Sequence, residues 1–223
     1  MLGFVILCHL KLHNTDNPGY TSVKAQLLSV PPYAAAAVIT VSIGFLADHT
    51  RQRGITNMAV SVIGMAGYAL LIGAEGPGAR YAGVFLAAMG IYPCVSNTIA
   101  WCSNNTEGRP LLPVQFSRRL LTSIGVYKRG VTLGVVIGWG NLNGIVASNV
   151  YRGGDAPQFY PGHGVMLGYL VVCLFGGSLI QYILLIVENR KREQGKRDHW
   201  VEGLSPQQLA QRGDERPDFI YTL

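Results

Sequence analysis

The sequence predicts an all-α fold, a polytopic membrane helical bundle. Three observations carry that reading. Five uncharged runs are each about 20 residues long or slightly more, the length a bilayer core demands. Charged residues make up only 13% of the chain, against about 25% in soluble domains. Glycine is abundant, at 28 of 223 residues, as in membrane helices whose backbones approach closely.

The first expected span is Ala25 to Ala47, with Pro31-Pro32 near its start. A kink is expected there, because neighbouring helices in a membrane bundle can satisfy the carbonyls that a proline frees. The second span is Ile55 to Ala74 and the third Tyr81 to Ser103, with Pro93 inside it. The fourth is Gly130 to Tyr151. Its Gly134/Gly138 and Gly140/Gly144 recur four apart, the spacing of a GxxxG packing face. The Gly138-Trp139-Gly140 run is no dinucleotide loop, since it lacks the preceding strand that such a loop requires. The fifth span is Gly164 to Val187. In lipid each run must be helical to satisfy its own backbone.

The charges between the spans set an orientation. Arg51 and Arg53 follow span one. Arg109, Arg118, Arg119, Lys128 and Arg129 follow span three. Arg190, Lys191, Arg192, Lys196 and Arg197 follow span five. The alternate loops carry only Arg80 and Arg152. The positive-inside rule makes the first set cytoplasmic, together with the tail. The net charge of +6 is thus a topology signal and not a nucleic-acid footprint. The Asn104-Asn105-Thr106 sequon falls on the cytoplasmic side and is expected to be unmodified.

Catalytic and metal chemistry find little support. Cys8, Cys94, Cys102 and Cys173 form no CxxC pair and read as small hydrophobes in or beside apolar runs. There is no HExxH, no P-loop and no nucleophile–base pair. We expect no enzyme activity, no cofactor and no metal site. Met1 to His9 is too short to span and has no basic n-region, so it does not read as a signal peptide.

The motif richest in chemistry is Gly44-Phe-Leu-Ala-Asp48-His-Thr-Arg51-Gln-Arg53-Gly54, at the cytoplasmic end of span one. An acid at a helix end, followed by bases in a tight loop, can clamp neighbouring helices in one arrangement. A solvated charged turn is the plainer alternative. The pattern resembles the GxxxD-R/K-x-G-R/K loop of the major facilitator superfamily, with His49 at a position often held by Arg or Lys. Further stretches resemble the fungal anion:cation symporter branch, with its allantoate and nicotinic acid permeases. They are Lys24 to Tyr33, Ala87 to Pro93, Trp101 to Asn105, Gly138 to Asn149, and Gly213 to Phe219.

The resemblance implies a partial major-facilitator fold, about helices 8–12 of 12. It implies transport of a small organic anion, a carboxylate or vitamin-like solute, by a carrier that includes the missing N-terminal half-domain, with a co-transported proton as one option for coupling. The chain alone is expected to be inactive, and a fragment or half-carrier needing a partner chain is the alternative. The implied organisation is a remnant of a preceding helix and extracellular segment over 1–24, a five-span half-domain over 25–187, and a cytoplasmic tail over 188–223. Residues 109–125 interrupt the match as an insertion in a cytoplasmic loop, a genuine loop or a retained in-frame intron. The bilayer is expected to be the plasma membrane.

Amides inside lipid need partners, so they face the bundle or a wet cavity. Asn97, Asn141 and Asn143, with Tyr33 after the double proline, are therefore the candidates for substrate binding, and Gln181 reads as helix–helix glue. Gly44, Asp48, Arg51, Arg53 and Gly54 are the candidate gating loop. No acid lies deep in a span, which puts any proton-coupling acid elsewhere. The expected partner of Asp48 is the start of span four, near Gly130, or the bases Arg51 and Arg53.

Overall fold

A computed structural model describes residues 27–106, 118–150, 159–205, 208 and 213–223, except for the side chains of 77, 118–126 and 143–148. Among the described residues the secondary structure is helical, with no strand. The expected remnant over 1–24 lies outside them, as do 109–117 of the expected insertion. From Arg118 onward that insertion is the first turns of a helix.

Helix α1 runs Val30–Thr50. Pro31 and Pro32 occupy its first turn, so the expected kink is replaced by a helix start. The first N–H groups of a helix have no intrahelical acceptor, and a proline there forfeits nothing. Helix α2 (Arg53–Gly73) follows after two residues. Helix α3 is Pro77–Asn105 and absorbs Pro93 without ending. Helix α4 is Arg118–Val150 and contains the fourth expected span. Helix α5 (Tyr160–Tyr169) passes through a π-helical stretch, Leu170–Gly176, into α6 (Gly177–Glu193). The three make one 34-residue rod.

Helix α2 is the centre of the bundle. Helix α3 packs against it most extensively, and α5, the π stretch and α6 also lie against it. Helix α1 lies on α3, while α4 touches α3 and α5 lightly. Glycine makes the α2–α3 approach possible. A Cβ on Gly67 would overlap the backbone of Ala87, and one on Gly90 the backbone of Gly64. Of the GxxxG face expected in α4, Gly144 lies outside the residues whose side chains are described, and a Cβ on Gly134, Gly138 or Gly140 would meet nothing within 4 Å. Small residues bring backbones together only where a second helix lies alongside, and α4 has light contacts.

Tyr68, Leu71, Val84, Ala87, Met166 and Leu170 form much of the buried core between α2, α3 and α5. Outward the bundle is apolar. Phe45 is 74% exposed, Trp139 71% and Val172 70%. Such a surface would aggregate in water and is what a hydrocarbon solvent favours. Four helices, Val30–Thr50, Arg53–Gly73, Gly78–Asn105 and Tyr160–Glu193, are long and apolar enough to cross a bilayer. The fourth expected span lies on α4, part of whose side chains fall outside the described residues.

Candidate functional site

The turn between α1 and α2 carries a buried polar network. Helix α1 ends on Arg51, whose φ of 55° is left-handed. That conformation reverses the chain so that α2 can start at Arg53, but it suits glycine better than an L side chain. The loop pattern quoted above has glycine three residues after its acid, where this chain has Arg51. The sequence reading passed over that departure.

Arg53 is 6% exposed, although it sits at a helix end. Its guanidinium is ion-paired with Asp48 on α1. Its Nη1 also donates to Asn97 Oδ1 on α3 at 2.8 Å. Asn97 Nδ2 donates back to the Arg53 carbonyl at 2.9 Å and to Asn57 Oδ1 at 3.0 Å. Asn57 Nδ2 donates to Thr98 Oγ1 at 2.7 Å and to Ser178 Oγ on α6 at 3.4 Å. A buried guanidinium needs both charge compensation and filled donors. The Asp48 carboxylate supplies the first and the amide chain supplies part of the second. Of the two expected partners of Asp48, the structure has the basic loop, through Arg53.

Gly54 sits where three helices converge. A Cβ there would lie 2.7 Å from Tyr182 Cδ2 and 3.0 Å from Trp101 Cη2. Gly44, in contrast, has nothing within 4 Å of a Cβ. Arg53, Asp48 and Asn97 are thus brought together, with Gly54 beside them, while Gly44 faces open space.

The substrate candidates are spread over three helices, α1, α3 and α4. Asn97 belongs to the Arg53 network and is 3% exposed. Tyr33 is half-buried, and its ring meets Tyr92 edge-on at 5.7 Å. Asn141 is exposed on α4. The side chain of Asn143 lies outside the described residues. Gln181 is exposed on α6. Sequence reasoning missed Asn57, which nothing but its neighbours distinguishes from an ordinary helix-start amide. His163, which lies in a polar flank of the sequence and reads there as a solvated residue, is instead fully buried, 6.1 Å from the Tyr68 ring. Among the described residues no group of three or more His, Cys, Asp or Glu could hold a metal ion.

Apolar bilayer-length helices around a buried polar network define an integral membrane protein. Its relatives are transporters. An uncharacterised transporter of Schizosaccharomyces pombe is 29% identical over 206 residues, 92% of this chain and 37% of the relative. The high-affinity nicotinic acid transporter of Saccharomyces cerevisiae is 26% identical over 211 residues, 91% of this chain and 35% of the relative. The major facilitator-type transporter hxnP of Emericella nidulans is 24% identical over 208 residues, 92% and 38% respectively. These homologues are fungal, and the similarity supports the major facilitator superfamily. The chain spans a little over a third of the length of these relatives. No family model matches it, and no solved structure does.

Proposed function

We propose that the chain supplies helices of a major-facilitator secondary carrier of the fungal anion:cation symporter branch, which moves a small organic anion across the plasma membrane. The observation that carries this is the buried Arg53, held between Asp48 on α1 and Asn97 on α3 at one end of the bundle. The arrangement can be made and broken as helices rock, which is how a carrier closes one face while it opens the other. The relatives' transporter names support the same reading.

In this reading Gly44, Asp48, Arg51, Arg53 and Gly54 form a gate on the cytoplasmic side, where the tail also lies. Tyr33, Asn141 and Asn143 offer hydrogen-bond donors to a carboxylate solute carried with a proton, and Asn97, whose two amide N–H groups are taken by the Arg53 carbonyl and Asn57, joins them only when the gate opens. The activity belongs to an assembly larger than this chain, with further helices from the same polypeptide or from a partner chain. The five-span unit 25–187 is its contribution, with 109–125 a loop insertion and 188–223 a tail. The protein has no enzymatic role.

Asp48→Asn tests the gate in the assembled carrier. The screened ion pair contributes about 1 kcal/mol, a roughly fivefold change in the balance between inward- and outward-open states. Uptake of radiolabelled nicotinate or a similar carboxylate, normalised to surface protein, should fall several-fold with insertion intact, because the apolar spans drive insertion. Unchanged uptake would leave Asp48 an ordinary loop charge.

A further inference from the structure

Beyond the gate itself, residues 214–223 return to the same end of the bundle and are fastened there at more points than a solvated tail needs. Two asparagines on different helices each make a reciprocal pair with the tail backbone. On α3, Asn105 Oδ1 accepts from Thr222 N–H at 2.8 Å, while its Nδ2 donates to the Thr222 carbonyl at 3.0 Å. On α6, Asn189 Oδ1 accepts from Tyr221 N–H and its Nδ2 donates to the Tyr221 carbonyl, both at 2.9 Å. Each amide imitates one rung of a β-ladder, so the tail is read through its backbone. Trp101 Nε1 adds a donor to the Thr222 carbonyl at 2.8 Å.

The rest of the segment is hooked around Arg192. Its Nη1 donates to the carbonyls of Asp214, Arg216 and Phe219 at 2.9, 3.0 and 2.8 Å, and Nη2 to the Tyr221 hydroxyl at 2.8 Å. The guanidinium also lies 4.3 Å from the centroid of the Tyr221 ring. Burial raises the pKa of the Tyr221 phenol, which keeps it a neutral hydroxyl. Lys128 on α4 pairs with Asp214 at 2.6 Å. The segment finishes on the gate, where the Arg53 backbone N–H donates to the backbone oxygen of Leu223 at 2.5 Å.

We propose that residues 214–223 are a positioning strap for Arg53. They fasten the start of α2 to the ends of α3 and α6 and thereby hold the guanidinium in register with Asp48 and Asn97. The N–H of the first helical residue has no acceptor within its own helix. The strap fills that vacancy for Arg53, the residue whose side chain the gate depends on. The role in transport rests on the gate reading above, but the mechanical link does not.

Hydrogen exchange followed by mass spectrometry on the chain in lipid nanodiscs tests the link. Thr222→Pro removes the N–H given to Asn105, and a chain shortened by Tyr221, Thr222 and Leu223 removes the clasp. Both leave every helix residue in place. Exchange over residues 51–57 should rise about tenfold in either variant, with residues 160–168 unchanged. A strap that is only a surface ornament would free the tail and leave 51–57 as protected as before, which overturns the proposal. An equal rise in both segments also overturns it, since that is general loosening. Aggregation of both variants counts against it too, because a positioning strap is not needed for helices to form. The Asp48→Asn uptake assay fails separately if the gate reading is wrong.

Discussion

At the scale of single residues, Arg51 and Arg53 show how the same side-chain type can serve opposite needs two positions apart. Arg53 is buried for its charge and its donors. Arg51 is placed by its backbone, in a left-handed conformation that costs an L residue about 1 kcal/mol or more relative to the right-handed one. Arg51→Gly removes that penalty and loses part of the gain to the freer unfolded chain. Net stabilisation should be about 0.5 kcal/mol, read as a higher midpoint in thermal unfolding of the detergent-solubilised chain. A lowered midpoint would mean that the Arg51 side chain stabilises the turn by more than its backbone costs. The loop motif was legible in the sequence because Gly44 and Asp48 keep the known four-residue spacing and bases follow closely, although His49, Arg51 and Gln52 depart from the pattern. The amides that complete it were not. Asn57 and Asn97 lie 40 positions apart and meet only because α2 and α3 run side by side. Asn105 stood out only as part of a sequon and of the Trp101 to Asn105 stretch, and Asn189 not at all, since their partners are backbone atoms of a distant tail.

At the scale of elements, the spans were legible and their packing was not. Hydrocarbon length and the absence of charge mark a span regardless of its neighbours, so α1, α2, α3 and the α5–α6 rod fall close to the expected runs. Glycine spacing marks only the ability to pack. It pointed to α4, whereas the close backbone approach is between α2 and α3, where Gly64, Gly67 and Gly90 are not spaced as a single motif. The π stretch Leu170–Gly176, just before Gly177, left no periodicity signal in a run that is apolar all round. A paired comparison follows from the packing. Gly90→Leu forces a side chain into the backbone of Gly64 and should destabilise the chain by about 3 kcal/mol. Gly138→Leu meets open space and should leave its unfolding midpoint within the scatter of repeat measurements. Similar losses in both variants, by thermal unfolding in detergent, would show that α4 packs in solution as tightly as α2.

At the scale of the whole molecule, one end of the bundle gathers the polar work. The α1–α2 turn, the ends of α3 and α6, Lys128 on α4 and the strap all meet there. At the other end are Arg80, which donates to the Ala74 carbonyl, and Tyr81, which donates to the Leu28 carbonyl. Single cysteines introduced at Arg51 and Lys196 in a cysteine-free background should therefore react with an impermeant maleimide from the same side of the membrane. A cysteine at Glu75 should react from the opposite side. Labelling of Arg51 and Lys196 from opposite sides would contradict the arrangement.

The strap also puts a clock into the making of this protein. Trp101 and Asn105 wait for Thr222, which lies 121 and 117 positions later in the chain. At 5–20 residues per second, a ribosome takes roughly 6 to 24 s to cover that interval. For all of that time α2 and α3 can already be in the bilayer with the ends of their polar network unfinished. The arrival of Tyr221 and Thr222 supplies the missing acceptor and donor and ends that interval.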